Sequence, residues 1–265
     1  MRSAHGRQIL TLRVRIKSDH SGSGMYSKSI LIATCALAVC AACVSLPWRN
    51  EPVGTEVNLA FTVEKNLLFI NSATIEGRPG RFMLGTAQSR TVVDATFAQS
   101  IRIPWRGRLA LKIGEKQSMA FTPLVADLHG VGDAILGADV WGSRAVTVDY
   151  HAGLLTYQKE GIHPESMTVY RFTGEPMINV DVDGRTFSAI VDTSSPDTLV
   201  LPRGKESAHR TTARLRVGGV DFGTVDLAIG DVATPRVGNR VLSKFLVTID
   251  YGRKQVGLWR DPRNP

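Results

Sequence analysis

An internal repeat is the strongest constraint on the fold, because three segments recur in the same order along the chain. Residues 137–150 read GADVWGSRAVTVDY and residues 238–251 read GNRVLSKFLVTIDY, with six of the fourteen positions identical. Upstream, residues 83–94 match 190–201, and residues 111–114 match 215–218. The offsets are 101, 107 and 104 residues, a drift that trimmed loops would produce. Duplication of one unit predicts two similar copies packed about a pseudo-twofold axis.

Short runs rich in Val, Ile and Thr, separated by glycine-containing turns, predict an all-β protein. Examples are Val57–Val63, Leu67–Ile70, Leu109–Ile113, Ala145–Val148, Ile178–Val182, Thr198–Leu201 and Phe245–Ile249. Short helical turns are expected near Val140–Ser143 and Val241–Lys244, and no pattern predicts a long helix. We place the first copy at residues 55–160 and the second at 161–265, each long enough for a small β domain.

The second copy carries a chemically informative turn, Ala189-Ile190-Val191-Asp192-Thr193-Ser194-Ser195. It resembles the signature of the retropepsin-like aspartic proteases, which is two apolar residues followed by Asp-Thr-Gly and a small residue. Ile135-Leu136-Gly137 resembles the second signature of the family, and Arg236-Val237-Gly238 keeps part of it. The resemblance covers residues 55–265 in outline. It implies two acid-protease β-barrel lobes in one chain, related by a pseudo-twofold.

The sequence departs from this family at the residues that perform the chemistry. Family members hydrolyse peptide bonds with two carboxylates that share a proton, one from each lobe. Asp192 is present, but its counterpart in the first copy is Gly85. Thr86 and Thr193 both remain, and the resemblance implies that they hold the two loops together across the axis. The glycine of the family is replaced by Ala87 in the first copy and by Ser194 in the second.

Three functions are compatible with this pattern. An active aspartic peptidase needs a second carboxylate, most simply Asp192 of another chain in a homodimer. A pseudoprotease would bind a peptide or protein segment in the cleft between the lobes without cutting it. A structural envelope lipoprotein would use no cleft at all. Asp192 itself is either catalytic or a structural turn residue that accepts hydrogen bonds from its loop.

The remaining polar and aromatic residues favour structural roles. Asp94 and Asp139 do not occupy the turn position, and Asp149 and Asp250 lie at strand ends. Trp141 and Trp259 are expected in the core or at an interface. The four scattered histidines of the body predict no metal site and no cofactor. Arg102, Arg106, Arg108 and Lys112 are interpreted as a solvated face rather than a nucleic-acid site.

The N-terminal 43 residues predict a leader. They contain six of the 32 basic residues and one of the 24 acidic residues, which leaves a net charge of +3 for the rest of the chain. An apolar run from 30 to 43 follows Lys28 and ends at Cys43 after Ala41-Ala42. This run resembles a bacterial lipoprotein signal and implies lipidation of Cys43. An uncleaved membrane anchor and a plain secretory signal are the alternatives.

Residues 44–54 are interpreted as a tether, so that the body is anchored by lipid and faces the periplasm. Met25 is a second candidate start. No other segment is apolar enough for a membrane span, which excludes a polytopic membrane protein.

Overall fold

A computed structural model describes residues 56–103, 107–114, 117–158, 161–163, 165–204 and 211–260. The leader, Cys43, the 44–54 tether and Arg106 lie outside the described residues. Strands dominate the described chain, which confirms the all-β prediction. Among the described residues, no helix has the length and apolar character needed to cross a membrane.

The described residues between 56 and 158, which we call the first stretch, contain twelve strands and two short helices. The strands are β1 (Val57–Glu64), β2 (Leu67–Ile70), β3 (Ala73–Ile75), β4 (Arg78–Pro79), β5 (Phe82–Leu84), β6 (Val92–Asp94), β7 (Leu109–Ile113), β8 (Gln117–Phe121), β9 (Leu124–Ala126), β10 (Ala134–Leu136), β11 (Ala145–Asp149) and β12 (Leu154–Gln158). The helices are α1 (Ala95–Ser100) and α2 (Ala138–Trp141).

The second stretch, which comprises the described residues between 161 and 260, contains nine strands and one helix. The strands are β13 (Thr168–Arg171), β14 (Met177–Val182), β15 (Arg185–Val191), β16 (Leu199–Pro202), β17 (Thr212–Val217), β18 (Val220–Gly230), β19 (Arg236–Val237), β20 (Phe245–Asp250) and β21 (Gln255–Arg260). The helix is α3 (Asn239–Leu242).

The strands form three sheets. An eleven-stranded sheet has the order β13-β21-β20-β11-β12-β1-β2-β5-β10-β6-β9. A closed barrel contains β14-β15-β19-β16-β18-β17, and a four-stranded sheet contains β4-β3-β7-β8. Residues alternate between exposed and buried along β17, as expected for strands with one face on the core. One buried cluster includes Phe82 and Trp141 from the first stretch and Phe245 from the second.

The two stretches share a local pattern of strand pairing. In the first, β10 pairs with β5 in parallel and with β6 antiparallel, and β6 pairs with β9 in parallel. In the second, β19 pairs with β15 in parallel and with β16 antiparallel, and β16 pairs with β18 in parallel. The stretches join where β11 and β20 pair antiparallel, with Thr147 opposite Thr248 and their Oγ1 atoms 2.9 Å apart.

The predicted strands are confirmed within one or two residues at their ends, but the helical segments differ. Both predicted turns form helices that begin two residues earlier, directly after the extended residues Gly137 and Gly238. Helix α1 was not predicted from the sequence. Its start is set by Asp94, whose side chain caps the N-H groups of Thr96 and Phe97.

Candidate functional site at the Asp192 loop

The loops that follow β5 and β15 are joined by reciprocal hydrogen bonds between two threonines. The Thr86 N-H donates to Thr193 Oγ1 at 3.2 Å, and the Thr193 N-H donates to Thr86 Oγ1 at 3.1 Å. The Thr86 hydroxyl donates to the Val191 carbonyl at 2.6 Å, and the Thr193 hydroxyl donates to the Leu84 carbonyl at 2.7 Å. Both threonines are buried. We call this set of bonds the threonine brace; it holds Gly85 and Asp192 on the two sides of one junction.

Three donors engage the Asp192 carboxylate. The Ser194 N-H and hydroxyl donate to Oδ1 at 3.0 and 2.6 Å. Nη1 of Arg236 donates to Oδ2 at 2.8 Å and forms an ion pair. The Asp192 side chain is only 4% exposed. Both carboxylate oxygens are therefore occupied by groups of the second stretch itself.

The opposite loop has neither a carboxylate nor space for one. A Cβ atom added at Gly85 would overlap with Cγ2 of Ile135 and would lie 3.2 Å from Cγ of Gln88. Ile135 is buried on β10. An aspartate at position 85 would therefore require Ile135 to move.

Ile135 and Arg236 occupy corresponding positions in the two copies. Ile135 pairs with Met83 on β5, two residues before Gly85. Arg236 pairs with Ile190 on β15, two residues before Asp192. In the repeat alignment, the Gly85–Ile135 pair of the first copy therefore corresponds to the Asp192–Arg236 pair of the second. The first pair is a small residue beside an apolar one, and the second is an acidic residue beside a basic one.

Asn239 links the Asp192 loop to the first stretch. Its Nδ2 donates to the carbonyls of Thr193 at 2.7 Å and Asn66 at 2.6 Å, and its Oδ1 accepts from the Tyr150 hydroxyl at 2.7 Å. Burial, reinforced by the charge of Asp192, raises the pKa of Tyr150 far above its ordinary value. The Tyr150 hydroxyl is therefore a neutral donor at physiological pH.

The corresponding residues of the other copy do not form this link. Ala138 stands where the second copy has Asn239, and Tyr251 corresponds to Tyr150. The buried Tyr251 hydroxyl has no hydrogen-bond partner among the described residues. Burial raises its pKa as well, so that this hydroxyl also stays protonated.

The other aspartates singled out in the sequence have structural partners of their own. Burial opposes ionisation of Asp94, but hydrogen bonds from the N-H groups of Leu128, Thr96 and Phe97 lower its pKa overall. Burial raises the pKa of Asp139 although Thr91 donates two hydrogen bonds to it. The Asp149 side chain accepts from the Ala152 N-H in the turn after β11.

Asp250 and the two tryptophans also lie in the packed structure. Asp250 accepts from the N-H and guanidinium of Arg253. Trp141 is fully buried and Trp259 is half-buried. Within the described ranges, no group of three or more His, Cys, Asp or Glu side chains is placed to hold a metal ion.

The structure brings together Gly85, Thr86, Thr193, Ser194 and Asp192 at one junction, and Ala87 is buried beside Thr86. Sequence reasoning missed the contributions of Arg236, Asn239 and Tyr150. One signal was available for Arg236, because Arg236-Val237-Gly238 replaces an apolar residue of the second signature. Comparison with known proteins finds no matching family model and no significantly similar curated protein.

Proposed function

We propose that this chain is a retropepsin-like pseudopeptidase, which binds extended peptide segments without hydrolysing them. In this proposal residues 55–160 and 161–265 form two lobes related by a local twofold. The shared strand pairings support it. So does the β11–β20 pair, because Thr147 and Thr248 correspond in the repeat and lie opposite each other. The reciprocal threonine brace has the same symmetry.

The Asp192–Arg236 ion pair is the observation that best supports the proposed lack of hydrolytic activity. The aspartic mechanism needs two adjacent carboxylates, one that accepts a proton from water and one that donates a proton to the carbonyl. Gly85 supplies no carboxylate. Arg236 donates to Oδ2 of Asp192 and forms an ion pair with it, so a base takes the place of a second carboxylate beside Asp192.

A carboxylate from a second chain would not easily complete the dyad. The Asp192 side chain is 4% exposed, and three donors already surround it. The proposal therefore favours binding over the alternative of an active homodimeric peptidase. The ligand class follows from the resemblance, which implies a peptide or protein segment in the cleft between the lobes.

Peptide binding and cleavage should be measured on the purified full-length chain. The probes are a fluorescent library of extended peptides, incubated at acid and neutral pH with the wild type and with Asp192→Asn. We expect saturable binding and no cleavage by either protein. Cleavage by the wild type that Asp192→Asn abolishes would contradict the proposal and establish the active peptidase. Absence of both binding and cleavage would contradict it in favour of a structural role.

For the leader, we propose a lipid anchor at Cys43 that places the protein in the bacterial cell envelope, facing the periplasm. The apolar run and Ala41-Ala42 support this assignment. A single acyl chain binds a membrane only marginally, so several chains are expected on one cysteine. Labelling with a palmitate analogue should mark the wild type and fail for Cys43→Ala. Equal labelling of both proteins, or of neither, would contradict the proposal.

A further inference from the structure

The two members of the Asp192–Arg236 ion pair differ in their contact with solvent. The Arg236 side chain is 26% exposed, whereas the Asp192 side chain is 4% exposed. A molecule that approaches this loop from solvent therefore meets the guanidinium group more readily than the carboxylate.

Arg236 has hydrogen-bonding capacity that the protein does not use. A guanidinium group carries five N-H donors on three nitrogens. Nη1 donates to Asp192. Nε is buried without a partner among the described residues, so a ligand could reach only the Nη atoms.

The loop offers donors rather than acceptors to a ligand. Both oxygens of Asp192 already accept hydrogen bonds from Ser194 and Arg236. Groups that accept hydrogen bonds are therefore favoured over ammonium groups and peptide N-H groups. A carboxylate is the most favoured acceptor, because its hydrogen bond to a guanidinium N-H is charge-assisted.

The other copy has no comparable group. Ile135 occupies the position of Arg236 and is buried and apolar. A ligand that lies across both loops would consequently meet a charged group on one side only. This difference would fix the direction in which the ligand binds.

We propose that Arg236 is a binding residue for a carboxylate group of a peptide ligand, supplied by the C-terminus or by an acidic side chain. This inference rests on the proposed peptide-binding function and narrows it to one ligand chemistry. Asp192 then acts as a positioning residue, which holds the guanidinium through Nη1.

Three peptides with one core sequence test this inference by fluorescence anisotropy on the full-length chain. The first has glutamine side chains and a C-terminal amide, the second has a free C-terminal carboxylate, and the third has an amide and one central glutamate. We expect one carboxylate peptide to bind at least about tenfold more tightly than the neutral peptide, since a charged hydrogen bond contributes about 1.5–3 kcal/mol. Whichever peptide gains identifies the source of the carboxylate.

Variants assign the preference to one side chain. Arg236→Gln should abolish it, while Arg240→Gln, which removes the same charge from an exposed position, should retain it. Arg236→Lys keeps the charge beside Asp192 but has one terminal nitrogen in place of two, and it should reduce the preference without unfolding the protein. Circular dichroism verifies the fold of each variant.

The wild-type comparison decides the matter even if a variant does not fold. Equal binding of all three peptides would overturn the role of Arg236 while the pseudopeptidase proposal stands. A preference that survives in folded Arg236→Gln would also overturn it. Absence of binding by every peptide would contradict the proposed function itself.

Discussion

The first and second copies of the repeat keep the same strand pairings but differ in how each closes around its loop. In the second copy β18 runs for eleven residues and pairs with both β17 and β16, which closes a barrel. In the first copy this strand is divided into β8 and β9, which belong to different sheets. Pro123 lies directly before β9 and lacks the N-H group that a continuous ladder would need.

The same two copies differ in chemistry at the junction. The second supplies Asp192, Arg236 and Asn239, and the first supplies Gly85, Ile135 and Ala138 at the corresponding positions. The hydrogen bonds of the threonine brace are nevertheless reciprocal. The comparison teaches that the hydrogen bonds which join the copies and the charged groups beside them can differ independently. Buried threonines of both copies keep the backbone symmetric, while Asp192, Arg236 and Asn239 belong to the second copy alone.

The largest effect is expected for the threonine brace, the part of the junction in which the two copies match. Replacing both Thr86 and Thr193 with valine keeps side-chain volume but leaves the buried carbonyls of Leu84 and Val191 without donors. Each buried unsatisfied group costs about 1–3 kcal/mol, so we expect the double variant to lose about 4 kcal/mol of unfolding free energy. Urea unfolding measures this loss. The control, Thr86→Ser with Thr193→Ser, keeps both hydroxyls and should lose much less.

The single variants Thr86→Val and Thr193→Val test whether the two copies contribute equally to the brace. If the brace is symmetric, the two single variants should be destabilised to a similar extent. Their effects should also fail to add, because the two hydroxyls contact each other at 3.3 Å and hold the same two loops together. Additive and unequal losses would indicate that the two threonines stabilise separate structures.

A smaller effect is expected on the side that lacks a carboxylate. Gly85→Ala places a Cβ atom against Cγ2 of Ile135. Overpacking of this kind costs about 1–3 kcal/mol. In an Ile135→Ala background the same change should cost little, since the overlapping atom is gone. A cost that is equal in both backgrounds would show that Ile135 is not the obstacle.

The smallest effect separates the two corresponding tyrosines. Tyr150→Phe removes the donor to buried Asn239 and should destabilise the protein by about 1 kcal/mol. Tyr251→Phe removes a hydroxyl that has no partner among the described residues, and it should be neutral or slightly stabilising. Thermal unfolding of the matched pair measures the difference. A larger loss for Tyr251→Phe would mean that its hydroxyl is satisfied in solution.

Much of the fold could be predicted from the sequence because its signals are local. Turn-bounded runs rich in Val, Ile and Thr predicted seven of the strands, and the repeat identified Thr86 and Thr193 as corresponding residues. The division of β8 from β9 was not predicted, because strand registers far apart in sequence decide which sheet each segment joins. The start of α1 depended on a single capping residue, Asp94.

The site could be predicted only in part, for a related reason. Asp192 and the missing carboxylate at Gly85 were visible in the aligned motifs. The ion pair was not, because Arg236 lies 44 positions from Asp192 and reaches it only through the pairing of β15 with β19. Asn239 likewise contacts Asn66 across 173 positions of sequence. Side-chain partners of this kind follow from three-dimensional register rather than from spacing.

A double-mutant cycle between Asp192 and Arg236 tests the central claim most directly, because it requires no knowledge of the ligand. The cycle compares the unfolding free energies of the wild type, Asp192→Asn, Arg236→Ile and the double variant. Arg236→Ile alone should be the most damaging single change, since it leaves a buried charge without its partner. We predict a coupling energy of about 1–3 kcal/mol, with much of the loss recovered when Asp192→Asn is added. Additivity within about 0.5 kcal/mol would contradict the account, because it would mean that Asp192 and Arg236 do not form the ion pair on which the proposed absence of hydrolysis depends.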